Sequence, residues 1–88
     1  MYIVYMLEHS VTRQSYVGYT TDLKRRIREH NARGKKFTTR NSGQWIIIYA
    51  EAYRSESDAR EREGKLKIHG SAMVSLLKRL KKSRLSQK

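Results

Sequence analysis

Arg26 and His30 stand four residues apart in a stretch where Leu23 and Ile27 carry helical apolar spacing. A helix turns about 100° per residue, so His30 lies within about 60° of both apolar positions and Arg26 about 40° from His30, while Arg25 points the opposite way. The spacing selects Arg26 and His30 as a sheltered pair beside the core and leaves Arg25 and Arg28 as outer phosphate contacts. Their plainer role is an arginine and a histidine at a buried edge, satisfying backbone carbonyls. Glu63 is placed in a similar way: Ala59, Leu66 and Gly70 share one helical face with it, whereas Glu61 points to the other side. A carboxylate there must be paired, protonated or bound to a metal, and an arginine partner is the structural alternative. Tyr5 and Tyr16 complete the set of candidates. A tyrosine ionises near 10 and serves as a base only with help from positive charge or metal-bound hydroxide; otherwise strand tyrosines pack in the core.

The elements that must position these groups follow from the pattern of the chain. Tyr2 to Leu7 reads as a strand apolar on both faces, and so covered on both. His9 to Ser15 turn the chain, and Gln14 to Tyr19 return as a second strand with Gly18 near its end, bringing both tyrosine hydroxyls toward one end of a hairpin. Thr21 is expected to cap a helix, with Asp22 in its first turn, running to Asn31 and stopped by Gly34. Arg33 to Gln44 reads as a polar, basic loop. Trp45 to Tyr53 is rich in β-branched and aromatic residues and reads as a central strand. Ser55-Glu56-Ser57-Asp58 opens a second helix ended by Gly70, and Ser71 opens a third, with Met73, Leu77 and Leu80 as its core stripe and Val74 and Leu76 beside it.

Charge gives the class of partner. The 88 residues hold 20 Lys and Arg against 8 Asp and Glu, a net charge of +12. Residues 24–40 carry Lys24, Arg25, Arg26, Arg28, Arg33, Lys35, Lys36 and Arg40 against Glu29 alone, and residues 60–88 form a second basic concentration. Two such surfaces predict a polyanionic partner, whereas an anionic membrane would need an apolar helix face that is missing. A solubilising basic surface is the bland reading. The chain has no cysteine, which excludes disulfides and thiolate metal sites and suits the cytoplasm. Neither apolar run, Tyr2 to Leu7 nor Trp45 to Ala50, has the form of a signal peptide or a membrane span.

In order along the chain, Ile3-Val4-Tyr5, Tyr16-Val17-Gly18, Arg26, His30 and Glu63 resemble the motifs of the GIY-YIG endonuclease domain, in its small stand-alone bacterial form. The resemblance covers essentially the whole chain. It implies one α+β domain over residues 1–82, a three-stranded antiparallel sheet flanked by helices, and a basic mobile tail at 83–88. It implies an endonuclease that hydrolyses phosphodiester bonds in DNA or another structured nucleic acid, with DNA ahead of RNA. Glu63 falls at the position of the metal-binding glutamate, and one carboxylate with waters and a phosphate suits Mg²⁺ or Mn²⁺. Tyr16 would help deprotonate the attacking water, Arg26 would stabilise developing charge, and Tyr5 and His30 would position water and phosphate. Gly18 would serve the motif structurally, and Lys24, Arg25, Arg28, Arg33, Lys35, Lys36 and Arg40 would contact the nucleic acid. A two-metal scheme is disfavoured for want of an acidic cluster. Ile3 departs from the first glycine of the motif without altering a chemical group, and Gly64 beside Glu63 either allows a close backbone approach or loosens the site. A non-catalytic nucleic-acid-binding module on the same scaffold is the alternative, and a basic ribosome-associated protein is a third reading. The expected state is a cytoplasmic monomer, compatible with association with the nucleoid.

Overall fold

β1 (Tyr2–His9) is the middle strand of a three-stranded antiparallel sheet, with β2 (Ser15–Thr20) on one side and β3 (Trp45–Tyr53) on the other. The structure, a computed structural model, describes residues 1–37 and 43–85, with side chains outside 33–37. Val4 to Glu8 are buried without alternation, as befits a strand covered on both faces. β3, expected in the centre, is an edge strand, and its Ile47 is 37% exposed. Its β-branched and aromatic content reports a half-buried pleated surface, which an edge strand also offers.

Register assigns the two faces of the sheet. Tyr5 pairs with Gly18 and Leu7 with Tyr16 across the β1–β2 ladder. Across β1–β3, Met6 pairs with Tyr49 and Leu7 with Ile47, so Ile48 is an extra residue, a bulge. Side-chain alternation then puts Tyr5, Tyr16, Gly18, Ile47 and Trp45 on one face and Val4, Met6 and Val17 on the other. The second face is the core. Val4, Met6, Val17 and Ile48 pack there against Ala59 and Leu66 of α2 (Glu56–Lys67) and Met73 and Leu76 of α3 (Ser71–Arg79), with Leu80 just beyond.

Helix ends differ from expectation where local signals compete. Ser55 does cap α2, its hydroxyl accepting the Asp58 N–H at 3.3 Å. α1 (Leu23–Phe37) is capped by Asp22 instead of Thr21: the Asp22 carboxylate accepts the Arg25 N–H at 3.1 Å, and Thr20 Oγ1 accepts the Asp22 N–H at 3.0 Å. The helix continues through Gly34 to Phe37, so the first part of the expected loop is helical. An interior glycine costs a helix no more than about 1 kcal/mol and does not by itself stop one. Ile68 and His69, the latter at φ 57°, terminate α2, and Gly70 becomes the N-cap of α3. The buried stripe of α3 is Met73, Leu76 and Leu80, with Leu77 at its margin and Val74 52% exposed. Helical spacing allows either leucine, and the rotation of α3 against Leu66 chooses Leu76.

The chain beyond α3 returns to the sheet. Glu8 has no solvent exposure, and its carboxylate accepts from Arg84 Nε at 3.1 Å and from the Leu85 backbone N–H at 2.7 Å. Residues 84 and 85 of the expected tail are thus tied to β1, and 86–88 lie outside the described residues. Among the described residues no helix is long and apolar enough to cross a membrane.

Candidate active site

The face of the sheet opposite the core is organised around one close approach. Gly18 has no side chain to lift Tyr5 away, so the phenol ring lies across it. A Cβ at position 18 would stand 2.6 Å from the Tyr5 hydroxyl oxygen, 2.8 Å from Tyr5 Cζ and 2.9 Å from Tyr16 Cε2. Glycine is required here for space, since its φ is not positive. The Tyr5 and Tyr16 rings sit with centroids 6.2 Å apart. α1 adds His30, whose ring meets Tyr16 edge-on at 4.6 Å and whose Nε2 lies 3.4 Å from the Tyr5 hydroxyl.

Tyr5 is 2% exposed. Burial, reinforced by Tyr16 and Glu63 and opposed by Arg26, pushes its phenol up to about 12. It therefore keeps its proton at neutral pH and can donate a hydrogen bond. The same balance of charges shows that Arg26 of α1 and Glu63 of α2 are both within electrostatic reach of Tyr5. The fold thus sets Tyr5, Tyr16 and His30 against one another, with Arg26 and Glu63 in electrostatic range, from four elements in all.

Two of these residues are held differently from expectation. Arg26 is 44% exposed, not sheltered, and its Nη1 lies 3.7 Å from Glu29, which also lies 3.7 Å from Arg25. α1 rests on the margin of the sheet, so Leu23, Ile27 and His30 are only partly covered and the residue beside them stays open. Glu63 is 20% exposed and paired at 3.1 Å with Lys67 one turn on, in place of the arginine considered from sequence. The Lys67 ammonium also stands 5.8 Å from the Tyr16 ring centroid. Gly64 has nothing within 4 Å of a built Cβ, so no close approach explains it.

Among the described residues no group of three or more His, Cys, Asp or Glu side chains forms a metal cage. Glu63 offers one partly exposed carboxylate, so an ion held there would keep most of its water, as Mg²⁺ does, and would have to displace the Lys67 ammonium that stands 3.1 Å away. Lys24, Arg25 and Arg28 are exposed along α1. Arg33, Lys35 and Lys36 fall on its last turns, and Arg40 lies outside the described residues.

Sequence reasoning passed over three contributors. Lys67 was visible in its i,i+4 spacing from Glu63. Trp45, at the start of β3, has its ring 6.4 Å from Tyr16 and 6.1 Å from His30. Asn31, next to His30, fixes Trp45 by accepting its N–H at 2.8 Å and donating to its carbonyl at 3.4 Å. No local signal marks that pairing, because it joins an edge strand to a helix 14 residues earlier.

Comparison with known proteins extends this likeness along the chain. A UPF0213 protein of Halobacterium salinarum is 39% identical over 67 residues, 76% of this chain and 86% of that protein. A UPF0213 protein of Staphylococcus haemolyticus is 37% identical over 68 residues, 76% of this chain and 77% of that protein. The solution NMR structure of the UPF0213 protein BH0048 from Bacillus halodurans superposes with a TM-score of 0.54 at 35% identity, covering 92% of this chain and 86% of that one. The pattern of the GIY-YIG catalytic domain matches residues 1–82. The tyrosine pair laid over Gly18 is therefore the signature motif in its structural form, and the chain belongs to the GIY-YIG family.

Proposed function

We propose that this protein is a metal-dependent endonuclease that hydrolyses phosphodiester bonds, in DNA ahead of RNA, acting as a monomer in the cytoplasm or at the nucleoid. One observation carries the reading: the Tyr5 and Tyr16 rings and the His30 imidazole, from three separate elements, meet over Gly18, with Arg26 and Glu63 within electrostatic reach of Tyr5. Membership of the family supports nuclease chemistry.

Glu63 would hold a Mg²⁺ or Mn²⁺ ion, which when bound supplies neutralisation of the phosphate and of the leaving oxygen. The residues of the chain do the rest. Tyr5, with its phenol pushed up to about 12, stays protonated and shares a hydrogen bond with His30 Nε2, which would hold the imidazole toward the substrate. Tyr16, 38% exposed, reaches solvent and would help deprotonate the attacking water by passing its own hydroxyl proton to solvent as it takes up the proton of the nucleophile. Arg26 points its guanidinium into open space at the margin of the site, where a phosphate can displace the loose 3.7 Å contact with Glu29. Lys24, Arg25, Arg28, Arg33, Lys35, Lys36 and Arg40 would carry the flanking phosphates.

A second reading, a binding module without catalysis, draws on the Glu63–Lys67 ion pair, which occupies the carboxylate. The test is cleavage of duplex, branched and single-stranded DNA and RNA with and without Mg²⁺, for the wild type and Glu63→Gln. The nuclease reading expects Mg²⁺-dependent cleavage that collapses in the variant while its unfolding transition stays close to wild type, since Lys67 is about half exposed and can be hydrated. No cleavage of any substrate by the wild type, with binding retained, would favour the module.

A further inference from the structure

We infer that Trp45 is a stacking platform for an unpaired nucleobase next to the scissile phosphate, so that the preferred substrate carries an unpaired nucleotide there. The inference rests on the nucleic-acid reading of the site and narrows its substrate class. Trp45 is the sole tryptophan of the chain, and it lies at the mouth of the site on an edge strand instead of in the core. It is partly exposed. Its ring neighbours His9, Tyr16 and His30 meet it at interplanar angles of 81°, 64° and 55°. Among the described residues none of these rings lies parallel to the indole, so none of the three takes a stacked position on its faces.

The backbone that carries the platform is held before anything binds. Asn31 engages both backbone polar groups of Trp45, at 2.8 and 3.4 Å, and the rings of His9, Tyr16 and His30 border the indole, which lessens the ordering needed when a base arrives. The indole centroid is 6.1 Å from His30 and 6.4 Å from Tyr16, within about two stacked-base spacings of the reacting groups. The Lys67 ammonium, 5.8 Å from the Tyr16 ring centroid, sets positive charge beside the same rings for the strand's phosphates. In a regular duplex each base face is covered by its neighbours, and exposing one costs a few kcal/mol of unstacking and unpairing. A nucleotide that is already unpaired avoids that cost and gains the indole contact.

The wild-type protein provides its own probe through its single indole. With Ca²⁺ in place of Mg²⁺ to suppress turnover, tryptophan emission is followed while titrating a blunt DNA duplex, the same duplex with one unpaired nucleotide, and a single strand. The expected result is quenching by the two ligands that offer a free base, and affinity for the one-nucleotide bulge about tenfold above the blunt duplex. Trp45→Ala should bring that ratio close to one, and Trp45→Phe should keep part of it. Equal quenching by all three ligands, or an unchanged ratio in Trp45→Ala, overturns the stacking role while nucleic-acid binding stands. Failure of every ligand to bind at low salt overturns both readings. The emission experiment needs no variant, so a Trp45→Ala protein that fails to fold does not remove the test.

Discussion

Alanine substituted for Gly18 and for Gly64 should change the stability of this protein in opposite directions. At Gly18 the added methyl would meet the Tyr5 hydroxyl at 2.6 Å, Tyr5 Cζ at 2.8 Å and Tyr16 Cε2 at 2.9 Å, so each must retreat by roughly half an ångström or more to regain ordinary contact. Tyr5 is 2% exposed, so its ring cannot move off Gly18 without disturbing the side chains that cover it. Overpacking of this kind costs about 1–3 kcal/mol. The displaced phenol also leaves His30, which it meets at only 3.4 Å, and a misplacement approaching 1 Å costs about 10²-fold in rate if the pair positions substrate. At Gly64 the built Cβ meets nothing within 4 Å on an exposed helix face, so alanine should stabilise by about 0.4–1 kcal/mol through helix propensity and a less disordered unfolded chain. Urea unfolding of both variants reads the two signs, and cleavage reads the functional part. A Gly18→Ala protein as stable as the wild type would show that the tyrosine rings are not laid over that position. A destabilised Gly64→Ala protein would show that the glycine has a contact the structure lacks.

Three further outcomes follow from named contacts. Arg25→Ala and Arg26→Ala should differ: the first should weaken nucleic-acid binding mildly, and the second should cut turnover by about 10² to 10³, with equal losses refuting the helix phase. Arg84→Met leaves the fully buried Glu8 accepting from the Leu85 N–H without its cationic partner, and should cost about 2–4 kcal/mol, reduced from the full penalty because Arg84 is itself 35% exposed. A double-mutant cycle with Glu8→Leu should recover most of that loss, and strict additivity of the two single changes would mean the pair is not formed. Stability should fall at both ends of the pH scale. Burial opposes the Glu51 carboxylate, but hydrogen bonds from Tyr49, Tyr53 and Arg62 more than offset it and hold it below its ordinary value, so its contribution is present at neutral pH and lost in acid. Tyr5 and Tyr53, both raised chiefly by burial to about 12, favour the folded state up to their ordinary value near 10 and lose that contribution as pH rises through 12. Denaturation midpoints against pH, with phenolate absorbance followed in parallel, check the sign at each end, and a midpoint that climbs between pH 10 and 12 would contradict the burial of these phenols.

Periodicity and residue chemistry carried much of this protein. Alternation placed Tyr5 and Gly18 on strands, the 3.6-residue repeat grouped Arg26 with His30 and put Glu63 inside a core-facing sector, and the charge distribution named a polyanion. These are short-range properties, set by which way successive side chains must point. What could not be read there depends on contacts between distant segments. Strand order made β1 the centre and β3 an edge, because burial by neighbours and not β-propensity decides which strand is covered. The shallow seat of α1 left Arg26 open, and the choice of Leu76 over Leu77 came from the rotation of one helix against another. Glu8, one residue past the apolar run Tyr2 to Leu7, is a buried carboxylate, made tolerable by Arg84 and Leu85 76 and 77 residues later. Gly18 shows both levels at once: its type is plain in the sequence, but the reason for it, two tyrosine rings crossing the space a methyl group would fill, exists only when β1 and β2 are paired.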